Sequence, residues 1–267
     1  MSKNITIRSL TPTVTRLFGL PTPKSSTDVC IQRVIEAAKE LNISRIEKCL
    51  VFCPDAIGEV ILEKNIGTIN RIKTVAPIEV FVKSVFPPVT PVCFASMFTG
   101  LSPDEHGIKA YERPILKCET LFDTLISNAI KVAIVAVRNS SIDLIFRGRD
   151  IDYYSEEYDK EVEQRTLELL TEYDFIVAYQ QSYDDTLHRL GPYSEDALQA
   201  LFNHVEDFTE LAEGFNNDWS GFNRCIIFAP DHGAHYDAAK KKGAHGENVK
   251  EDMDLLHFLG IYRRTNI

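Results

Sequence analysis

Several things are scarce in this 267-residue chain. No stretch approaches the ~20 apolar residues of a membrane-spanning helix, so no membrane partner is expected. The opening residues, MSKNITIRSLTPTV, have no apolar core of the length a secretory signal needs, which points to a cytoplasmic protein. Basic residues are outnumbered, 29 Lys and Arg against 39 Asp and Glu, and the net charge of −10 argues against a nucleic-acid polymer as partner. The lone basic run, Lys240 to Lys242, reads as solvated. Six cysteines show no paired metal-ligand spacing; in a reducing compartment they are expected as buried free thiols, with Cys49 and Cys53 on the same side of one strand. No internal repeat, low-complexity tract or linker interrupts the sequence, so residues 1–267 are read as a single domain.

What is present alternates between two periodicities. After Asp28, the residues Ile31, Val34, Ile35, Ala38 and Leu41 recur at helical spacing. TLFDTLISNAI reads as a helix, and Ser194 to Glu213 sets Leu198, Leu201, Phe202, Val205 and Phe208 on one helical face. Between these lie short apolar runs that read as strands: CLVFC, IEVFVKSVF at 78–86, VAIVAV at 132–137, FIVAY at 175–179 and CIIFA at 225–229. Fully apolar strands alternating with amphipathic helices imply a three-layer α/β/α sandwich with a mostly parallel central sheet. The first ~45 residues are open between a strand and helix flanking the sheet and a lid over it.

The chemistry gathers just after the strands, where open parallel sheets place their ligands. Asp55 follows CLVFCP, Asp184 and His188 follow FIVAYQQSY, Asp231–His232–Gly233 follows CIIFAP, and His245 stands in GAHGEN. One aspartate after a strand is commonly a helix N-cap; four such segments with histidines suit divalent cations. A spacing of four puts Asp184 and His188 on one helical face, with Asp185 and His188 as a competing pair. Glycine would let the Asp231–His232–Gly233 backbone fold sharply. His245, between glycines, has no apolar face to bury it, while His106 and His235 suit supporting or structural roles. Thr90 precedes Pro91 at the start of a short helix ending near Gly100, where it is an N-cap or, beside a metal, a nucleophile facing a phosphate.

The stretch from Thr90 to Ile108 resembles the nucleophile segment of the alkaline phosphatase superfamily, and within it the nucleotide pyrophosphatase/phosphodiesterase branch. Thr99, Gly100, Leu101, Pro103, His106, Gly107 and Ile108 reproduce that branch's TG-L-x-P-x-x-HG-I string. Asp184, His188, Gly191 and Pro192 match its D-x-x-x-H-x-x-G-P, which selects Asp184 over Asp185. Asp231–His232–Gly233 matches its DHG and His245–Gly246 its final HG, all in family order.

The resemblance implies an alkaline-phosphatase-like fold and two cation sites, one of Asp184, His188 and His245, the other of Asp55, Thr90, Asp231 and His232. Imidazole with carboxylate suits zinc before manganese or iron. The implied activity is that of a phosphodiesterase-like phosphoric ester hydrolase on a small phosphorylated substrate. In it Thr90 attacks phosphorus in line and forms a phospho-threonine, while the cation of Asp184, His188 and His245 stabilises the leaving oxygen and activates water. A phosphomonoesterase, a phosphonate hydrolase and a non-catalytic metal-binding relative are the alternatives. A sulfatase is disfavoured because Cys93 lies three residues beyond the nucleophile position. Twelve residues between His232 and His245 leave no room for the large cap of the related mutases. Two departures bear on substrate. Tyr111, with Lys109 nearby, stands where the branch has a phosphate-binding asparagine, and Pro91 after the nucleophile has no N–H to donate.

Overall fold

In the computed structural model, which describes residues 5–24, 26 and 28–265, seven strands form one sheet. In chain order the strands are β1 (Lys48–Pro54), β2 (Ile78–Lys83), β3 (Val132–Val137), β4 (Asp152–Glu156), β5 (Phe175–Gln180), β6 (Arg224–Phe228), β7 (His235–Asp237), β8 (Lys242–Ala244) and β9 (Asp254–Tyr262). The large sheet runs β2-β9-β6-β1-β5-β3-β4, and β7 and β8 pair as a separate hairpin. β1, β3, β4, β5 and β6 are mutually parallel, and only β9 runs antiparallel, between β2 and β6.

The central strands are buried on both faces, which is why they read as unbroken apolar runs rather than alternating ones. The helices Ile66–Val75, Asp159–Leu169 and Glu195–Asp218 pack together on one face, with Phe208 against Phe52 of β1 and Phe228 of β6. On the other lie Leu10–Phe18, Thr90–Thr99, Leu121–Ser127 and Ser141–Ile145, where Phe98, Phe122 and Phe146 form an aromatic nucleus. The three-layer α/β/α arrangement expected from the pattern is the one found.

The differences have local causes. The 78–86 strand stops at Lys83 because Ser84 turns away, its N–H on the Met253 carbonyl and its hydroxyl on the Asp231 carbonyl. The helix after Asp28 begins only at Gln32, since Asp28 accepts from Thr6 and from its own neighbour Val29, and the Ile31 N–H is held by Thr13. Leu10–Phe18 and Gln32–Glu40 flank the sheet, Thr11 donating to the Met97 carbonyl of the Thr90 helix, so this segment is packing rather than a lid. Two strands of the large sheet and the β7–β8 hairpin lie outside the apolar runs that read as strands. β4 is a short polar edge, and β9 follows a four-residue helix without a turn signal between them. All six cysteines are free thiols, four of them buried and Cys30 and Cys118 partly so. Among the described residues no helix is long and apolar enough to cross a membrane.

Candidate metal centre

Parallel strands bring the carboxyl ends of β1, β5 and β6 to one edge, and the predicted residues meet there. Asp55 leaves β1 with its N–H on the Gln180 carbonyl at the end of β5. Asp231 and His232 follow β6, and Asp184 and His188 lie one turn apart on the helix Ser182–Leu190 after β5. The hairpin β7–β8 carries the chain back to His245. Thr90 is the first residue of its helix, with Val89 as N-cap and no side-chain cap, so its hydroxyl is turned inward instead of closing the helix end.

The side chains form two clusters. In the first, His232 Nε2 lies 3.4 Å from Asp55 Oδ1 and 3.4 Å from Asp231 Oδ2, and Thr90 Oγ1 lies 3.3 Å from that nitrogen and 3.4 Å from Asp55 Oδ2. In the second, Asp184 Oδ1 lies 3.3 Å from His188 Nε2 and 3.5 Å from His245 Nε2. The rings of His232 and His245 stack at 4.1 Å and so join the two. Asp185, in contrast, is exposed and accepts from Gln181.

These separations are long for hydrogen bonds and right for shared ligation. Atoms bound at ~2.0–2.1 Å around a tetrahedral ion sit about 3.3–3.4 Å apart. Asp55 Oδ1, Asp231 Oδ2 and Asp184 Oδ1 are all buried without a hydrogen-bond partner, a costly state for carboxylate oxygens unless a cation takes them. Each imidazole is oriented from behind by a carbonyl within reach of its Nδ1: Gly233 for His232, Gly243 for His188 and Pro88 for His245. Nδ1–H donation fixes the tautomer that leaves Nε2 free for a metal. The donor set therefore fits divalent cations.

Electrostatics divides the clusters. Burial, then the neighbouring carboxylates, pushes Asp55 well above the usual carboxylate range, and burial lifts Asp231 to about 8. Burial, then His245, drives His232 well below the usual imidazole range. Around Asp184 burial is outweighed by the close approach of His188 and the fields of the other histidines, so its pKa falls while that of His188 rises.

The supporting residues have separate tasks. His106 is buried, with Nε2 2.9 Å from Ser96 Oγ and Nδ1 accepting the Ile108 N–H, and so pins the TGLSPDEHGI loop to the Thr90 helix. His235 bonds Asp252, which also accepts the Glu247 N–H and, through its carbonyl, the Gly233 N–H, so one buried aspartate ties the two histidine loops together. Gly233 is required by close packing rather than by a sharp turn: a Cβ there would meet the Glu251 carbonyl at 2.0 Å and Gly58 Cα at 2.7 Å. Lys109 is exposed and paired with Asp104, while Tyr111 is 63% exposed with its hydroxyl within the fields of Asp55 and Asp184. Asp252, Tyr179 and His257, which bonds the Pro230 carbonyl, were not singled out in the sequence; Tyr179 and His257 lie within apolar runs.

The sequence model of the type I phosphodiesterase / nucleotide pyrophosphatase family matches residues 62–120, the segment containing Thr90. No curated protein is significantly similar in sequence. Among solved structures, murine ectonucleotide pyrophosphatase / phosphodiesterase 5, an inactive form in complex with AMP, is similar with a TM-score of 0.60 at 18% identity over 73% of this chain and 59% of its own. Phosphonoacetate hydrolase from Sinorhizobium meliloti, in complex with phosphonoacetate, gives 0.54 at 18% over 71% and 57%. The C-terminal periplasmic domain of EcEptC from Escherichia coli, in complex with Zn, gives 0.53 at 13% over 80% and 72%. The chain thus corresponds to less than two thirds of the first two proteins, and at these identities the likeness is one of fold. By that fold, and by the segment that carries Thr90, the chain resembles the alkaline phosphatase superfamily and its nucleotide pyrophosphatase/phosphodiesterase branch.

Proposed function

We propose that the chain is a two-cation phosphoric ester hydrolase that uses Thr90 as nucleophile on a small phosphodiester. The observation that carries this reading is the trio of buried, unpartnered carboxylate oxygens, each facing an imidazole Nε2, with the Thr90 hydroxyl at the edge of one cluster. When bound, two divalent cations, zinc in preference to manganese or iron, supply the Lewis acidity that makes a hydroxyl or a water nucleophilic near neutral pH. Asp55 and His232 hold Thr90 Oγ1 at the N-terminus of its helix, where the dipole favours phosphoryl charge. Thr90 attacks phosphorus in line, and the bond from phosphorus to the leaving oxygen breaks on the side of Asp184, His188 and His245. Water then cleaves the phospho-threonine and restores the hydroxyl.

A diester is favoured over a monoester by the charges around the site. Lys109 is spent on Asp104, Arg113 donates to the Asn139 carbonyl, and the leading electrostatic influences on Asp55, Asp184 and Asp231 involve no Lys or Arg. With no Lys or Arg among those leading influences, the Tyr111 hydroxyl suits a single negative oxygen better than a dianion. The AMP and phosphonoacetate bound by the similar structures support a small phosphorylated ligand. The test is zinc content together with hydrolysis of bis-p-nitrophenyl phosphate and p-nitrophenyl phosphate. Two zinc ions, faster diester turnover and its loss in Thr90→Ala are expected. Turnover unchanged by Thr90→Ala would remove the nucleophile, and bound zinc without turnover on any diester, monoester or phosphonate would leave a non-catalytic metal-binding relative.

A further inference from the structure

Tyr179 is the last aromatic residue of β5 and lies in register with Cys53 of β1, two residues before Asp55. Strand alternation sends the neighbouring Gln180 to the opposite face, where it donates to Asp207 and bonds His204. Tyr179 points toward the Thr90 helix, its ring edge-on to Phe94 at 5.3 Å and 83°. From there its hydroxyl donates to Asp55 Oδ2, the same oxygen that faces Thr90 Oγ1. The other oxygen, Oδ1, is left unpartnered toward His232 Nε2. With 2% of its surface exposed, Tyr179 is closed to substrate.

We propose that Tyr179 is a positioning residue for the buried cation site: its hydroxyl clamps one oxygen of Asp55 so that the other is aimed at the ion, and it draws charge from the carboxylate that Thr90 faces. The inference rests on the two-cation reading of the site. Without the clamp, Asp55 can rotate and present Oδ2 to the ion, which disturbs both ligation and the setting of Thr90. Hydrogen-bond partners of metal ligands are worth roughly 10–100-fold in affinity or activity. The ring is held independently by Phe94, so Tyr179→Phe removes the hydroxyl alone.

The experiment is a zinc titration of the wild type and Tyr179→Phe by calorimetry, with cobalt(II) absorption spectra at full occupancy and kcat and KM on bis-p-nitrophenyl phosphate. The expected result is one of two zinc sites weakened about 10–100-fold, a changed cobalt spectrum, and a lower kcat with KM nearly constant. Unchanged zinc affinity and spectrum, with or without lower thermal stability, would overturn the inference. So would a Tyr179→Phe chain that cannot fold with zinc present, since the hydroxyl would then serve folding rather than ligation. A wild type that binds zinc without turnover, with one site weakened in the variant, would sustain the positioning role and defeat the hydrolase. A wild type that binds no zinc would defeat both.

Discussion

The two halves of the site are built from the same residue types and behave oppositely. Asp231 and His232 are fully buried, with Asp55 2% and Thr90 4% exposed. The Asp184 side chain is 16% exposed and that of His188 38%. In the open half Asp184 shifts down and His188 up, while His245, its side chain 8% exposed, is lowered by burial as His232 is. In the buried half burial defeats that exchange: both carboxyls rise and the histidine falls. Asp184 and His188 can offset one another's charge, while the buried half gathers groups that favour neutrality until a cation arrives. Its residues come from strand ends and a helix start, whereas His188 leans on a hairpin.

The harshest test of this contrast is the proposed nucleophile. Thr90→Ala should lower kcat by about 10³-fold or more while zinc binding survives through the remaining ligands. Measurement of turnover beside metal content checks this. Next is a matched pair of ligand changes. Asp231→Asn should abolish measurable turnover at low zinc, on the order of 10²-fold or more, yet make the metal-free protein more stable above pH 7, because it removes a carboxyl that burial disfavours as an anion. Asp184→Asn should also weaken zinc but leave the metal-free protein less stable, since an ion-paired carboxylate is lost. Thermal melts of both in chelator decide whether the halves differ as described; equal shifts would erase the distinction.

The pH dependence follows with smaller amplitude. Asp55 and Asp231 have raised pKa values in the fold, so the folded state holds protons that the unfolded chain releases near pH 4, and the stability they contribute is lost as pH rises, for Asp231 through about 8. His188, also raised, loses its contribution above the ordinary imidazole range. His232 is lowered, so its effect runs the other way but ends by about pH 6.5, where the unfolded imidazole has lost its proton. Between about pH 6.5 and 8 the metal-free protein should therefore lose stability, with a slope near 1.4 kcal/mol per pH unit for each titrating proton. Zinc should oppose that loss, because it needs the deprotonated ligands. Denaturant midpoints with zinc and with chelator across this window give the comparison. At the rim the effects shrink further: Tyr111→Phe should raise KM about threefold, and Lys109→Ala, which releases only Asp104, should change kcat/KM less than twofold.

Much of this was legible because both periodicity and chemistry were local. Apolar runs of five or six residues marked β1, β3, β5 and β6, and polar residues just beyond them marked the site, since parallel strands must deliver their carboxyl ends to one edge. The helix at Glu195–Asp218 announced itself through its apolar stripe, and the structure adds Ser194 as its N-cap, accepting the Ala197 N–H. What stayed hidden depended on long-range register. Tyr179 is one more residue of an apolar strand until β1 pairs beside β5 and brings Asp55 under its hydroxyl. Asp252 becomes a hub only when β9 enters the sheet antiparallel and draws its preceding helix under the Gly233 and Glu247 backbones. The division into buried and open halves was equally invisible, because burial is set by the layers above the strand ends and not by the motifs.

In the proposed reaction Thr90 forms a covalent bond to phosphorus, and the stereochemical course at phosphorus reports whether it does. A diester made chiral at phosphorus by sulfur and oxygen isotopes, hydrolysed by the zinc-loaded protein, should give product of retained configuration, since attack by Thr90 and then by water inverts twice. Net inversion would mean that water attacks phosphorus in a single step, and Thr90 would lose its role as nucleophile.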